Sequence, residues 1–151
     1  MSHFKTGKRG IVARFSAEER LFLGDVLPLL DTVGSIETDP AAARLNVPVY
    51  LDDPVANDEW WRLMGSELDR GREVDRGVFQ RLVRSRGSLT LTDGEADSLV
   101  RVLNEARLTL GARIGIEVEA DHDRLSPEET GALDFLGWVQ EELTMELTRN
   151  L

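Results

Sequence analysis

His3 and His122 are the only imidazoles in this chain, and no cysteine accompanies them. A nucleophilic triad needs a hydroxyl or thiol, a base, and an acid that orients the base. His3 falls in an N-terminal tail and His122 in an acidic loop, neither beside a nucleophile motif. The chain contains no Gly-x-Ser-x-Gly elbow, no His-Glu-x-x-His pair and no glycine-rich lysine loop for phosphate. Glu117, Glu119, Asp121, His122 and Asp123 offer ligands to a divalent cation, but only fragments of a calcium loop are present: its alternating ligands, turn glycine and closing glutamate are not all there. A solvated inter-helix loop accounts for them. The residues therefore assign no catalytic, cofactor-binding or metal site, and the chain reads as a non-enzymatic protein without a cofactor.

Residue types that recognise partners are better represented. Trp60 and Trp61 stand about 100° apart on a helix, so both cannot face the middle of one core. Either both pack partly inside, or Trp61 with Arg62 anchors an interface, because tryptophan and arginine are enriched among interface hot spots. Arg70, Arg72, Arg76, Arg81, Arg84 and Arg86 could meet phosphates with Lys5, Lys8 and Arg9. The interleaved Glu67, Asp69, Glu73 and Asp75 can instead pair with them at helical spacing. Trp60, Trp61, Arg62, Arg81, Arg84 and Arg86 are the candidate partner-binding residues.

The elements that must position these residues are mostly helical. A chain of 151 residues, 41% hydrophobic and 30% charged, suits one globular domain over 1–151. Residues 1–15 suit a small β-hairpin whose tip is Gly7-Lys8-Arg9-Gly10. Ser16 and Glu19 match a capping box that opens a helix over 16–33, weakened by Gly24 and Pro28. Prolines at 40, 48 and 54 predict a loop over 34–56, with an extended piece from Val47 to Leu51. Helices over 57–86 follow, one ending near Gly65 and the next carrying most of the arginines. After an extended connector at 87–91, Thr92 and Glu95 start a long helix over 92–118, with Ala96, Leu99, Leu103, Ala106 and Leu110 on one face. Ser126, Pro127 and Glu129 start another over 126–149. These two amphipathic helices predict an αα-hairpin at the centre of a mainly α bundle.

Net charge is −10, distributed as +4 over 1–15, −8 over 16–59, +3 over 60–86 and −9 over 87–151. The overall acidity disfavours nucleic acid at long range and leaves two basic stretches that would have to fold together to bind it. No apolar stretch is long enough to span a membrane, and no secretory signal precedes the hairpin, so the expected location is the cytoplasm.

The stretch from Leu89 to Asp97, the segment from Leu103 to Gly111 and the closing Phe135 to Leu143 together resemble the signature of an actinobacterial family known as DUF2017, a domain of unknown function. The N-terminal hairpin, Glu19 near the first helix start, and Asp53-Pro54 ahead of Trp60-Trp61 fit as well. The likeness spans nearly the whole chain, with residues 34–52 shorter and divergent. One branch of this family is an actinomycete oxidative-stress regulator that works with transcription machinery through a redox-active cysteine pair near the N-terminus. Residues 1–16 contain no cysteine, so the resemblance implies a regulatory role without that thiol switch. Family members also occur beside the adaptor of the Clp protease. The leading expectation is a cytoplasmic regulator acting through contacts with an unidentified protein partner, with a homodimer also open. The alternatives are a DNA-binding transcriptional regulator using the arginine-rich segment 62–86, or an accessory factor near Clp-type proteolysis.

Overall fold

The structure, a computed structural model, describes residues 2–34, 38–45, 50, 52–116 and 118–149, apart from the side chains of residues 119 and 122. Ser16 opens α1 (Ala17–Leu23) through a reciprocal cap: its hydroxyl accepts the Glu19 amide at 3.1 Å, and the Glu19 carboxylate accepts the Ser16 amide at 2.8 Å. The single helix expected over 16–33 is two helices, because the chain breaks at Gly24 and Asp25 before α2 (Val26–Asp31). Pro28 lies in the first turn of α2, where a missing amide costs no intrahelical bond.

The loop expected over 34–56 contains α3 (Pro40–Leu45), and the helices expected over 57–86 are one continuous helix, α4 (Pro54–Arg84). Proline disfavours helix at the residue before it, yet at the first helical position its fixed φ suits the helix and no amide is needed. Pro40 and Pro54 both occupy that position, so they open helices. Asp53 caps α4 by accepting the Ala56 amide at 3.0 Å. Gly65 does not end the helix, since propagation gains a hydrogen bond per residue once the nucleus exists. The extended piece expected from Val47 to Leu51 falls mostly outside the described residues.

The connector before the fifth helix is a strand. It completes a three-stranded antiparallel sheet in the order β1 (Phe4–Gly7), β2 (Gly10–Arg14), β3 (Ser88–Leu91), with Phe4 opposite Ala13 and Ile11 opposite Leu91. Gly10 is required there: its φ is 142°, and a Cβ would lie 2.2 Å from the Leu91 carbonyl oxygen. Thr92 and Glu95 then form the capping box of α5 (Asp93–Arg113), and Ser126 and Glu129 do the same for α6 (Pro127–Arg149). The helix expected over 92–118 stops at Arg113, and the acidic loop holds a short 3-10 helix at Glu119–Arg124.

The protein is thus mainly α, with a small sheet built on its N-terminal hairpin. The expected αα-hairpin of α5 and α6 forms its centre, and α2, α3 and α4 pack against α5. Ala96, Leu99, Leu103 and Ala106 of the predicted stripe are buried, and Leu110 packs against them. Phe79 and Leu82 from α4, Leu136, Val139 and Leu143 from α6, Leu30 from α2, and Ile11 and Leu91 from the sheet complete the core. Each such side chain contributes about 1.5–3 kcal/mol by leaving water. No helix among the described residues is long and apolar enough to cross a membrane.

Candidate functional site

The helix α4 is about 46 Å long at the standard rise per residue. Its buried residues, Asp75, Phe79 and Leu82, all lie in its C-terminal part. The ion pairs that tie α4 to α5 begin at Arg72, which meets Glu105, and continue through Arg76 with Glu105, Asp75 with Arg101, and Arg81 with Glu95. Ahead of Arg72 the helix carries its apolar residues to the surface: Leu63 is 61% exposed, and Met64 and Leu68 are exposed as well. Trp60 and Trp61 are half-buried and pack edge to face against each other, with ring centroids 5.0 Å apart. Neither belongs to the hydrophobic core or to the residues packed on it. We call residues 54–71 the arm of α4.

The structure separates the six candidate partner residues. Trp60, Trp61 and Arg62 lie together on the arm, where Arg62 pairs with Glu59 one turn earlier. Arg81 belongs to the packed part, where its guanidinium meets the Glu95 carboxylate. Arg84 donates to the Gln80 side-chain oxygen at 2.9 Å, and Arg86 is exposed just beyond the helix. Arg72, Arg76 and Arg81 of the arginine-rich segment are neutralised by acids, but by Glu105 and Glu95 of α5 and Asp31 of α2 rather than by the interleaved Glu67, Asp69, Glu73 and Asp75 at helical spacing. Asp75 pairs instead with Arg101 of α5. In the acidic loop, Asp121 accepts from Arg124 and from the Val118 amide. Glu117 and the side chains of Glu119 and His122 lie outside the described residues.

His3 does not lie in a tail. Its side chain is buried, with Nε2 2.5 Å from a Glu19 carboxylate oxygen and Nδ1 2.6 Å from a Glu142 carboxylate oxygen. An ionised carboxylate only accepts, so both contacts are complete when both ring nitrogens carry hydrogen. The ring stacks on Phe15 at 4.7 Å and meets the edges of Trp138 and Phe135 at 5.0 and 6.0 Å. One residue thus joins the start of the sheet to α1 and α6. Its partners are 16 and 139 residues away in the chain, so no local pattern announces them. The only early signal is an unusual composition, a histidine next to a strand-forming phenylalanine.

Burial alone would raise the Glu19 carboxyl, but the Ser16 amide and His3 outweigh it and hold it below its ordinary value. Burial likewise opposes ionisation of Asp75, and the two-pronged contact with Arg101 at 2.8 Å, aided by Ser98, overcomes it. The Arg113 guanidinium, against the opposing effect of burial and helped by the Gly34 and Ala41 amides, holds Asp39 at about 2. Asp39 and Asp75 fasten the start of α3 and the packed part of α4 to α5, and Glu19 ties α1 to His3.

A groove of about 510 Å3 opens beside His3, between the sheet, α1 and α6. It reaches Gly87, just past the end of α4, so it lies at the other end of that helix from the arm. Trp138, half exposed, forms one wall.

A family model described as a domain of unknown function (DUF2017) matches residues 1–147. No curated protein matches the chain, and no solved structure matches it.

Proposed function

The chain belongs to the DUF2017 family, and from that premise we propose that it is a non-enzymatic cytoplasmic regulator working through protein contacts, with the arm of α4 as its docking element. The observation that carries this reading is the arm: a capped helix extends past the ion pairs that fasten it and presents Trp60, Trp61, Leu63, Met64 and Leu68 without core packing. Tryptophan beside arginine is a composition that makes hot spots, and long side chains on a preformed helix lose little backbone entropy on docking. His3 supports the same reading from the other side, because both its ring nitrogens are engaged by carboxylates and neither is free to act as a general base. The partner class, components of transcription or regulated proteolysis, follows from the family resemblance.

A photo-crosslinking residue at Leu63, with Glu128 as the control position, tests the proposal in cells. Adducts with a defined protein from position 63, lost on Trp61→Ala while the melting temperature holds, are expected. Labelling no greater than at position 128 would remove the arm as a docking element. The DNA-binding alternative predicts a gel shift at low salt that weakens steeply as salt rises.

A further inference from the structure

We propose that the groove beside His3 is a binding site for a small organic acid with an apolar, preferably aromatic, body. Its volume of about 510 Å3 falls within the range of small-molecule sites. The apolar wall consists of Phe15 and Trp138, and Trp138 is 50% exposed although it belongs to an otherwise packed aromatic group around His3. Trp138 also lines a second hollow along α6, and its half-exposed ring at the groove offers aromatic surface to a planar ligand.

The charge at the groove selects the sign of that ligand. Arg14 lines it, and its guanidinium has no hydrogen bond or ion pair among the described residues. Arg20 also lines it and donates one N–H to the Ser85 carbonyl at 2.6 Å, which leaves further donors on the same group. Glu19 also lines the groove, and its carboxylate is engaged by the Ser16 amide and His3, while the Glu142 carboxylate holds the other side of the imidazole. Neither guanidinium is paired with the one carboxylate that lines the groove, because Glu19 is held by Ser16 and His3. A guanidinium without a paired carboxylate recognises an anionic oxyacid in a fork-like geometry that a cation or a neutral ligand cannot use. The His3 clamp gives the site a rigid floor, because the ring that lines it is fixed from both nitrogens and stacked from one face. A preformed floor lowers the ordering cost of binding.

Anilinonaphthalene sulfonate, an aromatic anion, and N-phenylnaphthylamine, the same apolar body without the charge, are suitable probes for the full chain. The sulfonate should bind one to one and saturably, the neutral dye more weakly. Arg14→Ala should weaken the sulfonate about tenfold or more, the scale of a charge-assisted hydrogen bond, and leave the neutral dye unchanged. Trp138→Ala should weaken both. The combined Trp60→Ala, Trp61→Ala variant should bind as the parent does, which separates this site from the arm. Circular dichroism and melting temperature establish that each variant is folded. Equal binding of the two dyes, or sulfonate binding indifferent to Arg14→Ala, would overturn the assignment. Loss of binding in the arm variant would also overturn it. Either result leaves the docking role of the arm standing, since that role rests on crosslinks at Leu63.

Discussion

Phe15, Phe135 and Trp138 gather around the His3 imidazole near the C-terminal end of α4, and two glutamates from different helices hold the ring in place. At the other end of the same helix, Trp60 and Trp61 touch each other and lie outside the core. Both regions are rich in aromatic groups, yet one is cross-linked by contacts distant in sequence and the other by intrahelical contacts such as Arg62 with Glu59. The difference separates stability from availability. Long-range contacts lock residues into the cooperative unit, whereas a helix held by its own backbone keeps its side chains open for a partner.

The sharpest way to break this comparison is at His3. His3→Ala removes a buried ring and leaves two carboxylates facing each other, which should destabilise the fold by about 3 kcal/mol. For a chain of this size that lowers the melting temperature by roughly 10 °C. An unchanged melting temperature would mean that the clamp is ornamental.

Acid titration probes the same body by a second route. A carboxyl held below its ordinary value stabilises the fold above that value, and the contribution is lost as pH falls through the folded one. For Asp39 the window runs from 3.8 down to about 2. Glu19, Asp75 and Glu95, also lowered, act in the same direction. On the arm, Glu59 is lowered by Arg62, but that pair is exposed to solvent and contributes little. Thermal melts taken from neutral pH downward should therefore show a steady fall below about pH 4. A flat profile would contradict the coupling of these carboxylates to the packed body.

Smaller effects are expected on the arm itself. Gly71 has open space where a Cβ would stand, so Gly71→Ala should stabilise the helix locally by about 0.5–1 kcal/mol. Hydrogen exchange across residues 60–75 reads this out as slower opening. Trp61→Ala should cost about 1 kcal/mol of global stability or less, because its half-buried ring lies outside the core. A large loss on urea denaturation would move Trp61 into the cooperative unit and erase the contrast between the two regions.

Local rules placed the helix starts at Ser16, Thr92 and Ser126, because a cap is satisfied within four residues and is visible in a short window. The stripe from Ala96 to Leu110 was equally legible, since one helical face repeats at fixed spacing whatever it later packs against. Pro40 and Pro54 were harder, because proline looks the same in sequence whether it ends a segment or opens one. The pairing of β3 with β2 lay further out of reach, as it depends on strands brought together across the chain.

The sequence by itself determined the helical class, the main caps, the buried face of α5 and the absence of thiol chemistry, all of which depend on residue type and near neighbours. Only the tertiary structure decided that His3 is a buried clamp, that Arg14 lines an open groove, and that α4 carries its tryptophans beyond the core. Those outcomes depend on which distant residues meet, and a carboxylate 139 positions away leaves no periodic trace beside the histidine it holds.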